Sequence, residues 1–196
     1  MDQTKKIKLK VLTEGAIMVA LAFILSCLKI VNFVWGGSIT VLSMLPIIVF
    51  SLRHGAKYSF AVSFLYSLLQ LVQGIVFDGI FAWGLTPQIL LAVIFVDYLI
   101  PFTLLGVSGL FDSHKFSTVI GGTVTAVALR FICHYLSGVF IWKSFGELWG
   151  GFIANSPYLY SLLYNGAYMI PELIFTTIGA VFLFKTPTMR KILKLA

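Results

Sequence analysis

The sequence predicts an all-α integral membrane protein, a bundle of six transmembrane helices with both termini in the cytoplasm. Of its 196 residues, 59% are hydrophobic and only 11% are charged, whereas an average soluble domain has roughly 25% charged residues. Apolar segments of about twenty residues recur along the chain, and each is long enough to cross a bilayer as a helix. The net charge of +7 comes from residues that flank these segments, so it does not indicate a nucleic-acid partner.

Basic loops and Gly and Pro clusters divide a single membrane domain, residues 1–196, into six spans. The spans are expected at 12–31, 38–52, 57–77, 87–110, 116–142 and 158–184. The first follows the basic stretch KKIKLK, but it is too long and lacks the cleavage site of a secretory signal, so it is expected to be retained. The second is short enough to be little tilted or partly re-entrant.

The basic residues lie at one set of span ends, and this asymmetry predicts the orientation of the chain. The opposite loops contain only Lys143, with Lys29 near their edge. Because cytoplasmic loops carry the excess of Lys and Arg, we expect both termini in the cytoplasm of a plasma-membrane protein. The basic set is Lys5, Lys6, Lys8, Lys10, Arg53, Lys57, Lys115, Lys185, Arg190, Lys191 and Lys194.

Three polar residues are expected at one depth in three different spans. At a rise of about 1.5 Å per residue, Asp97, His134 and Asn165 each lie roughly 10–15 Å below the outer surface. An ionisable residue at such a depth is unfavourable by about 2.5–3.5 kcal/mol and usually faces the bundle interior or a polar cavity. The three side chains either satisfy one another and hold the helices together, or they line a pocket for a polar ligand.

Aromatic residues near this level favour the pocket. Tyr98, Tyr160 and Trp142 lie close to it, and Gly138, one turn above His134, is expected to leave room. An aromatic ring together with a carboxylate suits a planar cationic molecule, because the π face attracts the cation and the carboxylate accepts its N–H donors. Four tryptophans, Trp35, Trp83, Trp142 and Trp149, lie in or beside the outer loops, which fits either interfacial anchoring or a ligand mouth.

Arg130 and Glu172 are expected at similar depths in the fifth and sixth spans. An unpaired charge inside a membrane is unfavourable for either residue, so the sequence predicts a structural ion pair between them.

Motifs for catalysis are absent or misplaced. The sequence contains no Walker A loop, HExxH or CxxC pattern, so we expect no enzyme activity, no ATPase of its own, no cofactor and no metal site. A GxSG match at Gly106–Gly109 places Ser108 at the cytoplasmic end of its span, roughly 15–25 Å from His134, which argues against a serine protease.

The first span contains a small-xxx-small pattern formed by Ala16 and Ala20. Small residues at this spacing let helix backbones approach closely in lipid. The pattern fits packing within the bundle, and it also fits contact with a partner protein.

Nearly end to end, the chain resembles the thiamine-specific substrate-binding subunit (S component) of energy-coupling factor (ECF) vitamin transporters. The resemblance rests on six blocks in the right order. They are LTEGAIMVALAFILS, GGSITVLSMLPI, SLRHG, DYLIPFTLLGVSGLF, HYLSGVFIW and YSLLYNGAYMIP.

The resemblance implies a six-helix protein that binds thiamine near the outer surface and docks onto a transmembrane coupling subunit driven by two ATPases. It implies that Asp97 balances the cationic vitamin and that Tyr98 faces the thiazolium. Contacts to the rest of the ligand are implied for His134, Asn165, Tyr160, Trp142 and Gly138. Tyr66 aligns with a third-span tryptophan of some relatives and is expected to contact the vitamin. Trp35 belongs to the covering first loop, and Ala16 and Ala20 face the coupling subunit.

Two alternatives stay open at this point. One is an S component for another nitrogen heterocycle, such as a thiamine precursor or riboflavin. The other is a non-transporting membrane scaffold whose polar cluster is purely structural.

Overall fold

The computed structural model describes residues 3–33 and 36–192, and within them it shows a helical membrane bundle. Its helices are α1 (Gln3–Cys27), α2 (Leu45–His54), α3 (Ala56–Val76), α4 (Pro87–Leu110), α5 (Phe116–Trp142), α6 (Pro157–Lys185) and the short α7 (Pro187–Ile192). Five of these helices are long and apolar enough to cross a membrane, and α2 is a shorter apolar helix. The predicted fold of six membrane helices, α1 to α6, is therefore confirmed.

The second helix is shorter than the expected span 38–52, since it begins only at Leu45. Residues 38–40 form a strand instead, and Leu42 has a positive φ of 58° that breaks any helix before this point. Ten residues reach only about 15 Å, half of the hydrocarbon core. Every residue from Leu45 to Leu52 is buried, so α2 lies inside the bundle rather than against lipid.

Two β-hairpins lie at the same end of the bundle, where loops were expected. In the first, β1 (Lys29–Asn32) pairs antiparallel with β2 (Ser38–Thr40), and in the second, β3 (Gly146–Trp149) pairs with β4 (Phe152–Ala154). Pairing satisfies backbone groups of chain segments that lie over the helix ends. The opposite end of the bundle carries the ends of α2 and α6 and the starts of α3 and α5, where the basic residues cluster.

Helices α4 and α5 are irregular where they carry the predicted site. Residues Ile94–Leu99 of α4 and Gly138–Trp142 of α5 form π-helical turns. Pro101 contributes to the first irregularity, because it has no N–H to donate to the carbonyl of Asp97 one turn earlier. Such wide turns occur frequently at functional sites, and here they contain Asp97, Tyr98 and Trp142.

Candidate ligand-binding site

A cavity opens at the hairpin-bearing end, between α3, α4, α5 and α6 and bordered by residues 36–38 of the first hairpin. Together with the open solvent at its mouth, it encloses about 940 Å³ of space that no atom occupies. The structure brings seven of the expected site residues to its wall. They are Asp97, Tyr98, His134, Gly138, Trp142, Tyr160 and Asn165.

The carboxylate of Asp97 is held by three donors that all come from α5. Its Oδ1 lies 3.2 Å from Nδ1 of His134, while Oδ2 accepts from the Ser137 hydroxyl at 2.6 Å and from Nε1 of Trp142 at 3.1 Å. A carboxylate offers about four acceptor positions, so one stays available to a ligand. Among the described residues, no lysine or arginine lies within 4.0 Å of this carboxylate to neutralise it.

His134 lies between Asp97 and Arg130, and these neighbours determine which nitrogen carries its hydrogen. Nε of Arg130 is 3.4 Å from Nε2 of His134. A guanidinium can only donate, so Nε2 accepts and the ring hydrogen is on Nδ1, from which it is donated to Asp97. The imidazole is thereby fixed as a neutral ring at the cavity wall.

The amide of Asn165 is also oriented by its neighbours. Its Nδ2 donates to the backbone oxygen of Ser161 at 2.9 Å and to that of His134 at 3.3 Å, and its Oδ1 accepts from the Tyr168 hydroxyl at 2.6 Å. These bonds link α6 to α5 directly behind the imidazole. Asp97, His134 and Asn165 therefore belong to one hydrogen-bonded wall that spans three helices.

Aromatic rings form the remaining walls. Tyr160, Tyr164 and Tyr168 follow one another at successive turns of α6, with the first two rings stacked at 6.2 Å and an angle of 12°. The rings of Trp83 and Trp142 meet edge to face at 5.6 Å. The cavity thus combines one carboxylate with several π faces, which is the combination that attracts a planar organic cation.

Gly138 lines the cavity and also lies at the contact between α5 and α6. Its missing side chain lets the two helices touch, because an added Cβ would lie 2.2 Å from Oγ of Ser161 and 2.7 Å from its Cβ. The spacing from His134 placed a residue without a side chain at this level of α5. That α6 packs against it could be seen only in the folded structure. Gly138 is therefore a packing residue at the edge of the site.

Two further expected residues are not on the described cavity wall. Tyr66 is completely buried, and its ring packs edge to face on Phe102 at 5.6 Å. Phe102 itself lines the cavity, so Tyr66 supports that wall from behind. A contact between Tyr66 and a ligand stays a prediction. Trp35 lies outside the described residues.

The expected ion pair between Arg130 and Glu172 is also not formed as a direct contact among the described residues. The Arg130 guanidinium lies 4.2 Å from the ring centroid of Phe102, and its Nη1 is 3.0 Å from the sulfur of Met44. Glu172 instead accepts from the backbone N–H and the hydroxyl of Thr40. Equal depth in two helices did not predict these partners, because it leaves the rotation of each helix open.

Several cavity residues were not expected from the sequence. They are Lys29, Gln70, Gln73, Asp78, Arg130, Tyr164 and Tyr168. The two glutamines carried a usable signal, because polar side chains three residues apart in an apolar span share a helix face. Lys29 and Asp78 carried none, since one lies in β1 and the other in the segment after α3, and their side chains meet at 2.8 Å only in the folded chain.

The small residues of α1 lie on the outer surface of the bundle. Ala16 and Ala20 are exposed, whereas Gly15 and Val19 are buried against the other helices. The small-xxx-small pattern therefore does not pack within the bundle and is available to another protein or to lipid.

Known proteins resemble this chain over nearly its whole length. The sequence model of the thiamine transporter protein family (Thia_YuaJ) matches residues 12–192. The thiamine transporter ThiT of Bacillus subtilis (strain 168) is 32% identical over 200 residues, covering 95% of each chain. A solved structure of ThiT from Listeria monocytogenes shares the fold, with a TM-score of 0.71, 24% identity and coverage of 95% of this chain and 98% of that one. The chain is a multi-pass membrane protein that belongs to the thiamine transporter family.

Proposed function

We propose that this protein captures thiamine at the outer face of the plasma membrane as the substrate-binding subunit of an ATP-driven ECF uptake transporter. The observation that carries the proposal is the Asp97 carboxylate, which lies in an aromatic cavity with one acceptor position free and, among the described residues, no lysine or arginine directly against it. Thiamine has two flat rings joined by a methylene, a cationic thiazolium and an aminopyrimidine with N–H donors, and these match both features.

Different site residues would contact different parts of the ligand. Asp97 accepts from the vitamin or balances its charge, the ring of Tyr98 faces the thiazolium, and Trp142 stacks on the aminopyrimidine ring. His134 and Asn165, with Tyr160, hydrogen-bond the aminopyrimidine. In this arrangement Trp35, in the first outer loop, covers the bound vitamin.

Uptake would need partner proteins. The described chain offers the exposed Ala16 and Ala20 for a transmembrane coupling subunit, and two ATPase subunits would supply the energy. The basic residues at the end opposite the cavity support an orientation with both termini in the cytoplasm. The cavity then opens to the outside, where the vitamin is found.

Calorimetric titration of thiamine into detergent-purified protein tests the capture. We expect saturable binding that Asp97→Asn and His134→Ala strongly weaken, because each removes part of the hydrogen-bonded wall. Asp112→Asn, which changes an exposed carboxylate outside the cavity, is the matched control and should bind as wild type does. Undiminished binding in both cavity variants would contradict the proposed site.

A second measurement tests the coupling. Co-expression with an ECF coupling subunit and its ATPases should yield a complex and ATP-dependent thiamine uptake, and Ala16→Leu with Ala20→Leu should prevent the complex without changing thiamine binding. Uptake at full rate by this chain in liposomes without partners would contradict the subunit assignment.

A further inference from the structure

The α3 wall of the cavity contains two buried glutamines for which the proposed function assigns no role. Gln70 and Gln73 are 9% and 4% exposed, and both line the cavity. With Ser26 of α1 they form one hydrogen-bonded cluster. A carboxamide has a donor end and an acceptor end, so the end that meets the cavity determines what a ligand must present there.

The cluster determines how each amide is turned. The backbone oxygen of Ser26 can only accept, so Gln73 directs its Nε2 to it, at 3.1 Å. Oε1 of Gln73 then accepts from Nε2 of Gln70 at 3.2 Å, and it shares the Ser26 hydroxyl, at 2.7 Å, with the backbone oxygen of Phe23. Nε2 of Gln70 also lies 2.9 Å from Oγ of Ser26. Turning the Gln70 amide over would place two acceptor oxygens against each other, with no hydrogen between them.

Oε1 of Gln70 is consequently the one atom of these two amides without a hydrogen bond from the described residues. This oxygen is not fully enclosed by protein atoms. Because Gln70 lines the cavity, the oxygen is exposed to it. When a ligand fills the cavity and displaces water from this oxygen, leaving it without a hydrogen bond is unfavourable by about 1–3 kcal/mol. A ligand that donates to it would remove that penalty.

We propose that Oε1 of Gln70 accepts a hydrogen bond from the hydroxyl of the ligand's hydroxyethyl group, and this inference rests on the proposed capture of thiamine. Thiamine has donors at its two ends, an amino group on the pyrimidine and a hydroxyl on the thiazolium side chain. The first is taken in the proposed arrangement at the wall formed by α4 and α6, where Asp97 and Oδ1 of Asn165 each keep a free acceptor position. The acceptor on α3 is left for the second, which makes Gln70 a specificity residue for the free alcohol.

A pair of ligands tests this, thiamine and its analogue with hydrogen in place of the hydroxyl. One neutral hydrogen bond corresponds to about a five- to tenfold difference in Kd, so wild type should prefer thiamine by that factor. Gln70→Leu should bind both ligands about equally, and Gln70→Asn, whose oxygen is one methylene short, should show a reduced preference. Ser67→Ala, one turn away on the same buried face of α3, should keep the full preference.

The outcomes distinguish a failure of the Gln70 proposal from a failure of the proposed thiamine capture. Equal binding of the two ligands by wild type would overturn the proposal even if the variants failed to fold, as would an unchanged preference in Gln70→Leu or Gln70→Asn. If Gln70→Leu instead removed the preference for thiamine over an analogue without the pyrimidine amino group, the hydroxyl assignment would be wrong. Wild type that binds neither ligand would contradict the proposed function instead.

Discussion

Two carboxylates inside the bundle show how differently the same chemical group is used. Asp97 in α4 lies at the cavity, with 15% of its side chain exposed and three donors from α5 around it. Glu172 in α6 is 2% exposed and binds the N–H and the hydroxyl of Thr40 in β2. Asp97 keeps an acceptor position for something that enters from outside, whereas Glu172 fastens the first hairpin to α6.

The comparison shows that depth in the membrane does not by itself distinguish a binding residue from a structural one. Both acids are expected at levels where an unpaired charge is strongly unfavourable. What separates them is the nature of their surroundings, because Asp97 faces open space and Glu172 faces backbone. Substitutions at the two sites should therefore affect different measurements.

The largest expected effect is on binding at Asp97. Asp97→Asn keeps the size of the side chain but removes its charge, and hydrogen bonds to charged groups contribute about 1.5–3 kcal/mol. We expect thiamine binding to weaken by about 10- to 150-fold, measured by calorimetry. Glu172→Gln retains an oxygen acceptor for Thr40 and should change the Kd by no more than about twofold. A similar loss of binding in both variants would remove the distinction between the two sites.

The second effect concerns the helix contact beside Asp97. Gly138→Ala should destabilise the protein by about 3 kcal/mol, the upper part of the range for overpacking, because its Cβ would collide with Ser161. Thermal unfolding in detergent measures this. Gly166→Ala is the control, since its Cβ would meet nothing closer than 3.7 Å. The double variant with Ser161→Gly should recover most of the loss, and a lack of recovery would show that the collision is not the cause.

A smaller effect is expected at the hairpin anchor. Glu172→Leu leaves the buried N–H of Thr40 without its acceptor, and the penalty for such a group is about 2 kcal/mol. The same unfolding assay should show this destabilisation, while Glu172→Gln stays close to wild type. Equal stability of the Leu and Gln variants would mean that the contact with Thr40 does not stabilise the hairpin.

The smallest effect is expected at the ion pair between Lys29 and Asp78 at the cavity rim. The side chains are 14% and 20% exposed, and pairs that reach solvent contribute about 1 kcal/mol or less. Lys29→Met should therefore accelerate thiamine dissociation by no more than about fivefold, as followed by stopped-flow fluorescence. The effect should shrink as salt rises, because salt screens the pair, and an effect independent of salt would contradict the electrostatic explanation.

Much of the fold could be predicted because hydrophobic length is a local property of the sequence. Five spans were recognisable from apolar runs, and the rise per residue placed Asp97, His134 and Asn165 at one level. The second span was less predictable, because a ten-residue helix covered by protein does not need the length of a membrane-crossing segment. The strands of the two hairpins were missed for a similar reason, since short loop strands have no strong periodicity.

The sequence by itself determined that the chain is a membrane bundle, which of its ends carries the basic residues, and which polar side chains share a depth. The tertiary structure decided what each of those side chains faces. It gave Arg130 and Glu172 separate partners, made Gly138 a helix contact, placed Tyr66 behind the wall and turned the Gln70 oxygen toward the cavity. The physical reason is that composition and rise along one helix fix position along the membrane normal, whereas rotation and neighbours depend on how all the helices pack together.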